Sequence, residues 1–139
     1  RQAAPQPLRS MAFTIACAMQ SLDLTADRHG CSIGNPAFTD VQALRTLCLA
    51  AVQSCGLAPV GELFHRFADA AGLTGVVLLA ESHLAVHTWP ELAAVTLDVY
   101  VCNFGADNSA KAEALMQALL RDFRPVTVDR QQLHRGRPS

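Results

Sequence analysis

The sequence predicts an α+β fold: a two-layer sandwich in which helices cover one face of an antiparallel sheet, in the order β-α-β-β-β-α-β. Three observations lead there. Residues 94–102 alternate apolar and polar side chains without a break, as a strand buried on one face does. Val41, Leu44, Cys48, Ala51, Val52 and Cys55 recur at helical spacing, giving a one-sided amphipathic helix that needs a sheet to lie on. Between this helix and a second helical stretch lie extended runs joined by tight turns, which pair antiparallel.

Residues 1–10 are rich in Arg, Pro and Gln and read as a disordered extension, leaving 11–139 as a single domain. A loose period of two around Leu22, Asp23, Leu24 and Thr25 gives a strand within 12–26 that ends near Asp27. Residues 28–39 hold Gly30, Gly34, Asn35 and Pro36 and read as a loop. Thr39 and Gln42 have the spacing of a capping box at the start of the first helix, and Gly56 is placed to end it. Residues 59–67 read as a second strand and 73–80, the most hydrophobic run, as an interior one. In 94–102, Val95, Leu97, Val99 and Val101 face the core; Thr96, Asp98, Tyr100 and Cys102 face away. Ser109 is placed to cap a second helix whose buried stripe is Ala112, Leu115, Met116, Leu119 and Phe123. Residues 125–128 form a last short strand, within a basic stretch from 121 to 137 that reads as solvated. The sheet face without helices calls for a partner, most simply a second copy of the chain.

The totals exclude several classes. Eleven basic against twelve acidic residues leave no broad basic surface, so nucleic acid is not an expected partner. The five cysteines are odd in number and contain no C-x-x-C pair, which argues against a disulfide framework or a zinc knuckle and for a reducing, cytoplasmic setting. The apolar stretch 11–19 is too short to span a membrane, and it runs on into strand-like sequence rather than ending as a signal peptide would.

Residues 81–91 (Glu-Ser-His-Leu-Ala-Val-His-Thr-Trp-Pro-Glu) concentrate two histidines, the lone tryptophan and two acids after an apolar run. His83 and His87 would share a helical face, but Pro90 disfavours helix at Trp89, and in a strand the two lie about 13 Å apart, too far for one metal. No metal is expected. Gly-x-Ser-x-Gly is absent, and Ser82, His87 and Asp98 form a hydrolase triad only by assumption.

This eleven-residue motif resembles the self-processing motif of the prokaryotic S-adenosylmethionine decarboxylases. The similarity extends upstream through 65–67 and 73–80, and downstream through 97–102, in all across roughly residues 20–120. The resemblance implies that the chain cuts itself between Glu81 and Ser82 and converts Ser82 into a pyruvoyl group, with no external cofactor. Such a carbonyl forms a Schiff base with a substrate amine and accepts the electrons released as CO2 leaves. The resemblance assigns proton removal during processing to His87 and proton donation after decarboxylation to Cys102. It makes Thr74, in the place of a family serine, an aid to processing, Phe67 an aromatic stacked on adenine, and Glu91 a polar substrate contact. The implied product feeds polyamine (spermidine) synthesis, and the implied assembly is a homo-oligomer of cleaved protomers joined through the open sheet face.

Three departures bear on the substrate, which is expected to be a small amino-acid-type molecule. Asp23 stands where the family has a histidine, Asn103 follows Cys102 in place of glycine, and the loop at 68–72 is about one residue longer and lacks the usual Pro and aromatic. An acid at position 23 favours a cationic substrate, so decarboxylation of arginine or ornithine is the alternative. A further alternative is an uncleaved, non-catalytic homologue that serves as a binding subunit.

Overall fold

The structure is a computed structural model that describes residues 20–31, 34–67, 72–103 and 107–136. Six strands form one antiparallel sheet: β1 (Ser21–His29), β2 (Gly61–Arg66), β3 (Leu73–Leu79), β4 (Ser82–Trp89), β5 (Ala94–Cys102) and β6 (Thr127–Arg135). Their spatial order is β2-β3-β4-β5-β1-β6. Two helices, α1 (Val41–Ser54) and α2 (Ser109–Phe123), cover one face, and short 3-10 turns occupy Pro36–Phe38 and Pro90–Leu92. The expected two-layer α+β sandwich is what forms, with the 81–91 motif supplying an additional strand, β4, between the helices.

The core lies between helices and sheet. Leu44, Cys48 and Val52 of α1 and Leu115, Met116, Leu119 and Phe123 of α2 pack on Leu24, Leu84, Val86, Val95, Val99 and Val101. Phe38 meets Phe123 edge to face at 5.6 Å. Thr88, fully buried among these residues, is satisfied on both sides: its hydroxyl donates to the Phe38 carbonyl at 2.8 Å and accepts from the Leu73 N–H at 2.9 Å. Gly75 is required because the Phe64 ring of β2 lies across it; a Cβ there would fall 2.3 Å from the ring.

Several boundaries differ from expectation. β1 runs to His29, beyond Asp27, and the expected extension at 1–10 and strand start at 12–19 lie outside the described residues. Asp40, not Thr39, caps α1, accepting from the Gln42 N–H at 2.9 Å, because Thr39 closes the preceding 3-10 turn. Ser109 is the first residue of α2 rather than its cap; Asp107 accepts its N–H at 2.9 Å. The basic stretch holds a nine-residue edge strand, β6, paired with β1 throughout and tied to α2 by the bidentate Arg130–Glu113 pair.

Register fixes what meets on the open face. One row crosses it as His65, Thr74, His87, Thr96 and Asp27; another as Leu78, His83, Tyr100, Asp23 and Leu133. Leu63, Leu78 and Leu133 on this face are 73%, 49% and 58% exposed.

Candidate active site

A two-residue turn, Ala80 and Glu81, joins β3 to β4 and is closed by the pairing of Leu79 with Ser82. Ala80 adopts φ +49°, a left-handed conformation that costs a non-glycine residue roughly 1–2 kcal/mol. Strain therefore sits one residue from the Glu81–Ser82 peptide bond. Ser82 opens β4, and its Oγ accepts a hydrogen bond from the backbone N–H of Cys102 at 3.1 Å. The β4–β5 pairing thus brings together the serine and the cysteine that the motif singles out.

The main chain at Cys102 is itself clamped. Asn108 Nδ2 donates to the Cys102 carbonyl at 2.9 Å, the Asn108 N–H donates to Asn103 Oδ1 at 2.8 Å, and the Asn103 N–H donates to the Gln20 carbonyl at 2.8 Å. Neither the motif nor the helical pattern from Ser109 gives these asparagines a role in the sequence. The available signal is two asparagines just past a strand end, where their amides bond nearby main chain. A polar cleft of about 380 Å3 adjoins this point, lined by Ser21, Asn103, Ser109, His134 and Arg135 among others.

A second cluster forms at the other end of β4. Thr74 Oγ1 and His87 Nδ1 lie 3.0 Å apart on the open face. The Phe67 ring sits 6.3 Å from Trp89 and 6.2 Å from His65, and Glu91 is exposed in the turn that follows Trp89. A cleft of about 260 Å3 lies beside Trp89 and Leu92. Ser82 and His87 are five residues apart on an extended strand, hence about 17 Å along it, and an odd separation puts them on opposite faces. One protomer does not bring His87 to Ser82.

Between the clusters, His83 stacks on Tyr100 with ring centroids 5.3 Å apart and planes 15° from parallel. The Arg135 guanidinium carbon lies 5.7 Å from the same ring's centroid. Asp23 and Asp98 sit side by side on adjacent strands. Burial pushes the Asp98 carboxyl up to about 7, helped by the hydrogen bond and negative charge of Asp23 and opposed by Arg135. Oδ1 of each is buried without a hydrogen-bond partner among the described residues. Asp23 is therefore half of a carboxyl pair rather than a lone acid. Among the described residues, no group of three or more His, Cys, Asp or Glu is placed to hold a metal ion.

The sequence profile described as S-adenosylmethionine decarboxylase matches residues 22–136. The chain belongs to the S-adenosylmethionine decarboxylase family. The S-adenosylmethionine decarboxylase proenzyme of Persephonella marina is 36% identical over 115 residues, covering 83% of this chain and 81% of its own. The corresponding proenzyme of Aquifex aeolicus is 35% identical over 115 residues, with 83% and 80% covered. The crystal structure of the adenosylmethionine decarboxylase from Aquifex aeolicus superposes with a TM-score of 0.76 at 31% identity, covering 87% of this chain and 94% of that one.

Membership in the S-adenosylmethionine decarboxylase family, several of whose proteins are named proenzymes, directs attention to the Glu81–Ser82 bond. The residues there fit a serine-derived carbonyl. The serine follows a strained turn, its oxygen already has a donor, and the thiol-bearing residue is the one that supplies that donor.

Proposed function

We propose that this chain is a self-processing, pyruvoyl-dependent decarboxylase of S-adenosylmethionine, acting in the cytoplasm and supplying the aminopropyl donor for spermidine synthesis. The observation that carries the reading is the Ser82 hydroxyl held on Cys102 at the end of the strained turn. Ser82 Oγ attacks the Glu81 carbonyl and its proton passes to the Ser82 nitrogen, so the amide becomes an ester with a free amine. Loss of the Ser82 Cα proton then breaks the Cβ–Oγ bond, which ends one chain at Glu81 and leaves dehydroalanine at 82. Tautomerisation, addition of water and loss of ammonia complete the conversion. The resulting pyruvoyl carbonyl condenses with the substrate amine and takes up the electrons released with CO2. The Cys102 thiol supplies a proton to the carbon that has lost its carboxylate.

His87 is suited to removing the Cα proton because imidazole titrates near neutrality, but its own Ser82 lies too far along β4. A second copy meets the need. Two chains packed through their open faces cover Leu63, Leu78 and Leu133 and bring the Thr74–His87 pair of one to the end of β4 in the other, within reach of the Ser82 Cα proton although the Ser82 hydroxyl lies toward the helices. The same packing joins the polar cleft beside Asn103 to the one beside Trp89 and Leu92, suited to the amino-acid and adenine ends of the substrate. Phe67 stacks on adenine and Glu91 makes a polar contact in this arrangement.

The Asp23–Asp98 pair favours a second reading, decarboxylation of ornithine or arginine, by offering carboxyls to a cationic side chain. The raised pKa of Asp98 weakens the pair as a cation receptor near neutrality. Intact mass of the purified protein, followed by decarboxylation assays with S-adenosylmethionine, ornithine and arginine, tests the proposal. Two fragments meeting at Glu81–Ser82 and turnover of S-adenosylmethionine are expected. A single uncut, inactive chain means a non-catalytic homologue.

A further inference from the structure

The Cys102 backbone N–H points at the Ser82 oxygen, whose bonds change twice during self-cleavage. In the first step Oγ forms a bond to the Glu81 carbonyl carbon as the C–N bond breaks. In the second the Cβ–Oγ bond breaks, and its electron pair ends on Oγ as part of the new Glu81 carboxylate. A donor on Oγ does little for the attack, where the lone pair must go to carbon. It does much for the elimination, where negative charge arrives on that oxygen in a partly buried site; a fixed N–H is worth more there than mobile water.

Resting on the self-processing reading above, we infer that the Cys102 N–H is a catalytic donor for the elimination step, stabilising Oγ as it departs, and that Asn108 positions this N–H. Asn108 does so through the carbonyl of the same residue, with Asn103 and Gln20 holding the following peptide. The main chain of Cys102 therefore serves processing, while its thiol serves turnover.

The test compares two full-length chains that both lack the thiol. One is Cys102→Ala; the other carries lactic acid at position 102, which replaces the N–H by an ester oxygen and keeps the methyl. Cleavage is followed by intact mass, with hydroxylamine added to trap ester. Cys102→Ala keeps the N–H and sets the reference rate of cleavage at Glu81–Ser82. The lactic acid chain should cut about 100-fold more slowly, in line with the loss of one donor to a developing oxyanion. It should also accumulate a hydroxylamine-sensitive ester at Glu81, distinguished by fragment mass from the engineered ester at 102. Asn108→Ala should show the same ester at an intermediate rate, whereas a merely structural asparagine would lower the thermal midpoint without any ester building up. Equal cleavage rates in the two chains would overturn the donor role alone. Slow cleavage without trapped ester would assign the N–H to the attack and overturn its role in elimination. A wild-type chain that never cuts would overturn the self-processing reading and this inference together.

Discussion

Thr74 Oγ1 lies 3.0 Å from His87 Nδ1, directly across the β3–β4 pair, so a hydroxyl fixes one ring nitrogen of the histidine, and the other has no hydrogen-bond partner among the described residues. A base at Nε2 requires the proton on Nδ1, with the threonine oxygen accepting it. Thr74→Val keeps the shape and removes the acceptor. Self-cleavage should slow by about tenfold, the worth of roughly 1.4 kcal/mol of orientation, and Thr74→Ser should restore it. A time course on denaturing gels decides; an unchanged rate in the valine variant would separate Thr74 from processing.

Ser82 and His87 sit about 17 Å apart along one strand, so the proposed self-processing calls for two chains. A His87→Ala chain should not cut by itself, and a Ser82→Ala chain has no nucleophile. Co-expressed, the His87→Ala chain should be cut, because its partner supplies the imidazole, while the Ser82→Ala chain stays whole. Differently tagged chains show which is cleaved. If neither is cut in the mixture, the shared site is wrong.

How much of this was legible depends on whether burial wrote a pattern into the residues. β5 was read residue for residue because Val95, Leu97, Val99 and Val101 are buried while Thr96, Asp98, Tyr100 and Cys102 are only half-buried. β4 alternates as well, but its core positions include Thr88, a polar residue accommodated by Phe38 and Leu73, and this hid a strand inside a motif read for chemistry. Recognising that strand would have shown Ser82 and His87 on opposite faces. β6 left little trace: all nine residues are exposed, so main-chain pairing with β1 holds it without an apolar face. The Asn108 clamp and the Asp23–Asp98 pair depend on side chains meeting across the fold, which no local spacing encodes.

Cys102 contributes its main-chain N–H to Ser82, and the proposed mechanism gives its thiol to the substrate. Cys102→Ala should therefore cut normally yet lose roughly 100-fold or more in kcat, the usual scale for a positioned proton donor. Mass spectrometry measures the first property and CO2 release the second. Full activity in the cut variant would remove the thiol from the reaction.

Arg28 has no exposed surface, and burial lowers its pKa to about 10. Its Nη1 donates to the Leu120 carbonyl near the C-terminus of α2 at 3.3 Å, while Nε and Nη2 have no partner among the described residues. The helix end favours a cation, but one carbonyl offsets little of the desolvation. Arg28→Met fills similar space without the charge. It should raise the thermal midpoint by roughly 2–5 °C, and a lower midpoint would mean that the guanidinium contributes more than its bonds suggest.

The carboxyl pair gives stability a definite pH dependence. Asp98 titrates at about 7 in the folded chain against 3.8 for the ordinary carboxyl, so between those values the folded state binds more protons than the unfolded one. Stability from this group is full below about pH 4, falls as pH rises towards 7, and is constant above. Asp98→Asn removes the ionisation and keeps a donor for Asp23. The variant should gain thermal stability over wild type at pH 8, where Asp98 is otherwise charged, and the gain should shrink by pH 5. Arg135, the one cation that lowers the Asp98 pKa, moderates the effect, so Arg135→Gln should enlarge it. Paired melts of wild type, Asp98→Asn and Arg135→Gln across that range measure it. A difference between wild type and Asp98→Asn that does not change with pH would mean that Asp98 is ionised throughout.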